Sequence, residues 1–178
     1  IHQVLLSPLL KKKEVFETFP VFSPDGNKLY FCAAKQMPIP EKYKEIRYSL
    51  CSIDFDKEKG TFGNRIDTLI DAEKMKKSIS FPRPSYDGKH IMFTLSDYGN
   101  FSIWHKEADL WLLNLQDGSL RTIHEVNSDN TESFHNWSSN SHWFVFSSRR
   151  EDGLYTRLYL ACINKEGKVS KPFLLPQK

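Results

Sequence analysis

Residues Phe134 to Arg150 read FHNWSSNSHWFVFSSRR. The same plan stands twice earlier in the chain, as FPVFSPDGNKLYF from Phe19 to Phe31 and as FPRPSYDGKHIMFT from Phe81 to Thr94. Each copy is an apolar-aromatic strand, a tight polar turn and a second strand ending in or near Phe. In Ser23-Pro24-Asp25-Gly26 the proline presets φ for a type I turn. The aspartate bonds back to nearby backbone, and the glycine takes the left-handed conformation that closes a bulged hairpin. Ser85-Tyr86-Asp87-Gly88 keeps that logic without the proline. Ser138-Ser139-Asn140-Ser141 departs from it, since Ser141 stands where glycine is expected. Asn140 is then the residue best suited to a left-handed turn there.

The second strands, around Leu29-Tyr30-Phe31, Ile91-Met92-Phe93 and Phe144-Val145-Phe146, are apolar on both faces, as a strand covered on both sides must be. A third strand follows each hairpin, Tyr48–Asp54, Leu110–Leu115 and Leu158–Asn164, and then a glycine turn: Lys59-Gly60, Asp117-Gly118 and Glu166-Gly167. Fourth strands fall near Thr68–Ile70, Leu120–Ile123 and Pro172–Leu175. Four antiparallel strands repeated every ~50–60 residues are the mark of propeller blades. The expected fold is all-β: a partial β-propeller of three four-stranded antiparallel blades (residues 17–71, 79–126 and 132–176) plus one extra outer strand, Ile1–Leu6, of a preceding blade. The whole chain, 1–178, is then one repeat domain.

FxxFSPDGxxLYF and NWSSNSHWFVFSSRR…TRLYLACIN resemble the TolB-type, WD40-like propeller repeat, over nearly all of the chain from Glu17 on. That family includes bacterial envelope proteins and the propellers of prolyl oligopeptidase-like peptidases. The resemblance implies a TolB-like fold, a periplasmic or cell-envelope location and a protein-binding role. Fold alone does not fix function, because the same blades host many roles.

The 178 residues carry a net charge of +3, with 39% hydrophobic and 13% aromatic residues, enough to bury a substantial core. Basic runs are short (Lys11-Lys12-Lys13, and Lys74 with Lys76-Lys77). They lack the dense stripe interleaved with aromatics that nucleic acid wants, so no nucleic-acid partner is expected. No apolar stretch is long enough to span a membrane. The chain opens with Ile1 and shows no signal peptide, which reads as a processed protein or a fragment. Three cysteines, Cys32, Cys51 and Cys162, sit in strands. Free buried thiols are the plainer reading, although Cys32 and Cys51 fall on neighbouring strands of one blade, where a bridge is conceivable. Three blades would leave two apolar blade faces bare, so the remainder of a longer propeller of six to eight blades, or a second copy, is expected to complete the ring.

Insertions are confined to one face. The loops between second and third strands, 33–46, 95–108 and 147–156, are long, and the opposite turns are short. Repeat proteins build binding surfaces that way. On this face lie the candidate ligand-binding residues Trp104, His105, Glu132, His135, Arg149, Arg150, Tyr155 and Arg157. Arginine's planar fork suits carboxylate or phosphate, and exposed Trp and Tyr suit sugar or peptide. Each has a structural alternative. Arg149, Arg150 and Arg157 can pair with Glu151, Asp152 and Glu132 within the blade, Trp104 can anchor its own loop, and His105 and His135 can be structural. Trp111, Trp137 and Trp143 are expected in the core. There is no GxSxG, HExxH, Gly-rich phosphate loop or EF-hand spacing, so no catalytic residues, no cofactor and no metal site are assigned. A metal held by His105, His135 and Glu132 is conceivable only if geometry brings them together. The expectation is a non-catalytic binding or scaffold propeller of the bacterial envelope that recognises a protein, peptide or glycan at its channel mouth. The alternatives are an accessory propeller gating substrates to a prolyl oligopeptidase-like hydrolase, or a metal-dependent polysaccharide lyase.

Overall fold

A computed structural model describes residues 7–10 and 12–176. The expected outer strand at residues 1–6 lies outside them. The chain forms three four-stranded antiparallel sheets, each in sequence order. The first contains β1 (Val15–Phe22), β2 (Lys28–Lys35), β3 (Ser49–Asp56) and β4 (Thr61–Ile70). A single helical turn, α1 (Ala72–Met75), leads to the second: β5 (Ser78–Pro84), β6 (His90–Ser96), β7 (Asp109–Asn114) and β8 (Leu120–Thr122). The third contains β9 (Glu132–Trp137), β10 (Trp143–Ser148), β11 (Arg157–Cys162) and β12 (Phe173–Leu174). The first strands, β1, β5 and β9, lie side by side at the inner edge, and the sheets stack face to face like blades.

The hairpin turns close as their residues dictate, with one correction. Gly26 and Gly88 take positive φ (73° and 71°), and Asp25 and Asp87 accept the amides of Asn27 (3.1 Å) and Lys89 (3.1 Å). In the third turn Asn140 does the aspartate's work, accepting from His142 N (3.0 Å) and Ser138 Oγ (2.7 Å). The left-handed residue is Ser141 itself (φ 59°), not Asn140. Its hydroxyl accepts the Asp87 amide of the neighbouring blade's turn (2.9 Å), a bond that glycine would lack.

A second left-handed series was not visible in the sequence. Phe19, Phe81 and Phe134 all have φ near +50°, an uncommon conformation for a bulky residue. Each sits where the register between first and second strands shifts, so each is a β-bulge. The bulges turn the three rings into a ladder along the inner edge, with centroids 4.5 and 4.9 Å apart, inside the range of favourable aromatic pairs.

Two apolar junctions hold the blades together. Tyr30, Cys32, Leu50 and Ile70 of the first sheet meet Ile79, Ile91, Phe93, Leu95 and Leu113 of the second. Met92, Leu110 and Leu112 meet Trp137, Phe144, Phe146, Tyr159 and Ala161 of the third. The far face of the first sheet, with Phe31, Cys51 and Ile53, is covered in part by Leu9 and Leu10. Among the described residues nothing covers the far face of the third. Trp143 lies there 40% exposed, so its expected place in the core is corrected. It alternates out of the junction that Phe144 and Phe146 enter, and no described sheet covers it. Trp111 is half-buried, while Trp137 is buried and donates across the junction to Arg83 O (3.0 Å). All three cysteines are free. Cys32 pairs with Leu50 and Cys51 with Phe31, so the two thiols point to opposite faces of one sheet and cannot be bridged. Burial pushes both thiols above their ordinary range.

Candidate functional site

The long loops of the first two blades are knitted together beside the inner edge. Gly99 N donates to Ile46 O (2.8 Å), and a side chain at Gly99 would collide with the Tyr48 ring at 2.4 Å. The Tyr98 and His105 rings meet at a 47° tilt with centroids 4.0 Å apart. A 3-10 turn, Ser102–Trp104, then raises Trp104 into solvent, 60% exposed, and Phe101 beside it is 76% exposed.

The two neighbouring arginines at the end of β10 go opposite ways. Arg150 turns inward. It donates to Glu132 Oε1 (3.2 Å), Val126 O (2.5 Å) and Ser148 Oγ (2.9 Å), and its guanidinium lies 4.4 Å from the Tyr159 ring. Glu132, the first residue of β9, is fully buried. It accepts from Ser128 N (3.0 Å), Ser128 Oγ (2.6 Å) and Ser148 Oγ (2.7 Å) as well as Arg150. Burial raises its carboxyl above the ordinary range, against the pull of these donors. Arg149 turns outward. Its guanidinium carbon stands 3.9 Å from the Trp104 ring, and its Nε donates to Thr156 Oγ1 (3.3 Å). Among the described residues it has no carboxylate partner. It borders a small cavity with Thr131, Ser133, Phe134, Ser147 and Thr156.

The eight predicted site residues therefore divide. Trp104 and the 65%-exposed Tyr155 lie on the open surface, and half-buried Arg149 touches the first. Arg157 is half-buried and paired with Asp152 (3.7 Å), and Arg150 is paired with Glu132, the within-blade pairing that was the alternative reading. Glu132 and His135 do not reach the channel mouth, a correction forced by burial: the bulge at Phe134 interrupts the alternation of β9, so that Glu132, Ser133 and His135 are buried while Phe134 and Asn136 are exposed. His135 Nε2 donates to Met92 O (2.9 Å), and full burial brings its pKa down to about 4. His105 is also buried, its Nδ1 3.2 Å from Glu107 Oε1 but off the angle that a hydrogen bond needs. The conceivable metal set of His105, His135 and Glu132 is not brought together. Among the described residues no three His, Cys, Asp or Glu side chains converge. Sequence reasoning missed Phe134 and Thr156. The recurrence of Phe19, Phe81 and Phe134 was the available signal for the first, and nothing local marked the second.

No family model matches this chain, and no curated protein matches it. Solved structures do match. A protein described as TolB from Agrobacterium tumefaciens aligns over 92% of this chain and 50% of its own (TM-score 0.58, 20% identity). The β-propeller domain of the Trilobed protease from Pyrococcus furiosus aligns over 93% and 44% (TM-score 0.52, 15% identity). An oligogalacturonate lyase in complex with manganese aligns over 94% and 44% (TM-score 0.64, 13% identity). The chain thus spans half or less of each of these proteins. Identities this low speak for the fold, and the fold is that of a TolB-like β-propeller.

Proposed function

We propose that this chain is a non-catalytic binding or scaffold propeller of the bacterial cell envelope, recognising a protein, peptide or glycan on its long-loop face. One observation carries the reading. Ile39, Phe101, Trp104, Phe134, Leu154 and Tyr155 are each more than half exposed and lie on the long loops or at the inner edge beside them. On the short-turn face Tyr86 alone among the described residues is so exposed. Large apolar groups gathered on one face mark an interaction surface. The periplasmic setting rests on the TolB likeness. No described helix is long and apolar enough to cross a membrane.

The open face of the third sheet belongs to the same reading. Trp143, Leu158 and Phe173 are exposed there, and Val145 and Leu160 beside them repeat the register by which the first and second sheets meet their neighbours. Further blades, from a longer propeller or a second copy, complete the ring on this face. Cys162 lies on it and reports the event: a thiol reagent labels it in the open form and not in the completed one.

The experiment that tests the binding face compares a W104A/Y155A variant with Y86A on the turn face. Crosslinking to periplasmic extract is expected to lose its partner in the first variant and keep it in the second, with unchanged melting temperatures. Partners retained by W104A/Y155A, or lost equally in both, sink the reading. The second reading, an accessory propeller of a peptidase, is favoured by the likeness to the Trilobed protease domain. An α/β-hydrolase segment in the same reading frame would carry it.

A further inference from the structure

Arg149 is held as a binding residue is held. A guanidinium on a free side chain loses rotamer entropy whenever it captures an anion. Here the Trp104 ring at 3.9 Å and the Thr156 hydroxyl at 3.3 Å already fix it. The backbone beneath is fixed too, Arg149 N donating to Thr131 O (3.3 Å) and Gly153 N to Arg149 O (2.8 Å). The stack leaves the terminal N–H groups uncommitted, and among the described residues no carboxylate takes them. Its sequence neighbour shows what the same fold does with a structural arginine: Arg150 is given a buried glutamate and a backbone carbonyl.

The cavity bordered by Arg149 supplies the rest. Ser147 and Thr156 bring hydroxyls, and Phe134, 53% exposed, is the free end of the phenylalanine ladder. Phe134 sits on β9 at the inner edge, and with Trp104 it sets a second exposed aromatic ring beside Arg149. We infer that Arg149, on the face proposed above as the binding surface, takes a carboxylate of a peptide lying along the inner edge, with Trp104 and Phe134 flanking it. A planar fork meeting a carboxylate gives two parallel charge-assisted hydrogen bonds. The exposed Phe134 ring beside the guanidinium favours a peptide, which can set an apolar side chain next to its carboxylate, over an acidic sugar, whose rim is polar.

The test is an NMR titration that follows the Arg149 Nε–Hε peak, identified by its loss in R149Q, and the Trp104 indole peak. The probes are N-acetyl-glycyl-phenylalanine, its amide, N-acetyl-glutamyl-phenylalaninamide and trigalacturonate. The acid is expected to bind at least about tenfold more tightly than its amide, and R149Q, with an otherwise native amide spectrum, to lose at least about tenfold. Binding of the glutamyl amide would assign a side-chain carboxylate, and binding of the acid alone a chain terminus. Equal binding of acid and amide at Trp104 overturns the carboxylate assignment and leaves the binding face standing. Unchanged affinity in R149Q, response to trigalacturonate alone, or no response to any probe also overturns it. Failure of the face itself is read separately, in the W104A/Y155A crosslinking.

Discussion

The junction between the first two blades and the junction between the last two are built from different materials. In the first, Tyr30, Cys32, Leu50 and Ile70 press on Ile79, Ile91, Phe93 and Leu95, a surface without charge. In the second a comparable apolar core is threaded with directional polar contacts: His135 to Met92 O, Trp137 to Arg83 O, Ser141 to Asp87 N, Glu132 N to Ala108 O, and the carboxylate of Glu132 inside its cage. Apolar burial is indifferent to small rotations of one sheet on another. Hydrogen bonds are not, and each buried one costs its full desolvation when broken. The first junction has cross-blade hydrogen bonds too, Ile79 N to Tyr48 O (2.9 Å) and Tyr48 N to Ser78 Oγ (2.9 Å), but its core holds no carboxylate or imidazole, so sensitivity to pH collects at the second junction.

The largest effect is expected at Glu132. Glu132→Ala strands the Arg150 guanidinium and two hydroxyls in the interior and should cost about 3–5 kcal/mol in urea unfolding. Leu50→Ala at the first junction should cost about 2–5 kcal/mol by cavity formation, with no pH dependence of its own. If the two losses responded alike to pH, the contrast between the junctions would fail.

Acid comes next. The His135 pKa falls from the ordinary 6.5 to about 4 on folding. The fold favours its neutral form, so its contribution is whole above pH 6.5 and drains away as pH falls toward about 4, a loss of about 3 kcal/mol. Glu132 works in the opposite sense, since its raised carboxyl binds a proton more readily in the fold than in the unfolded chain. Stability measured from pH 7 to 4 should fall in the wild type and flatten in His135→Gln. An unchanged slope in that variant would move the acid sensitivity elsewhere.

Smaller still is the turn contact. Ser141→Ala keeps the left-handed strain and loses the bond to Asp87, at about 1 kcal/mol. Ser141→Gly also loses the bond but relieves strain of about 1–2 kcal/mol, so it should be near neutral or slightly stabilising. A Gly variant as destabilised as the Ala variant would show that the bond outweighs the strain. The smallest effect belongs to Arg149→Gln, within about 0.5 kcal/mol of wild type, as expected of a surface group outside the junction network. A melting temperature several degrees lower would place Arg149 with Arg150 among the structural residues.

The strands, the turns and their repetition are written in the sequence. Those features are local: Asp25 bonds to Asn27, Gly26 and Gly88 take their φ, and alternating apolar residues declare a covered sheet within a few positions of chain. The rest depends on contacts between residues distant in the chain. Period two said that Trp143 and Phe144 face opposite ways, but which face another sheet would cover depends on residues far along the chain. Arg149 and Arg150 are one residue type at adjacent positions, and nothing local separates them. Arg150 finds Glu132 on another strand of its own blade and Val126 O in the linker before it, while Arg149 finds Trp104 on a loop of the neighbouring blade. The left-handed phenylalanines teach the same lesson, since it is the packing of one inner strand on the next that offsets a strained backbone there and leaves Phe134 as the free end of the ladder.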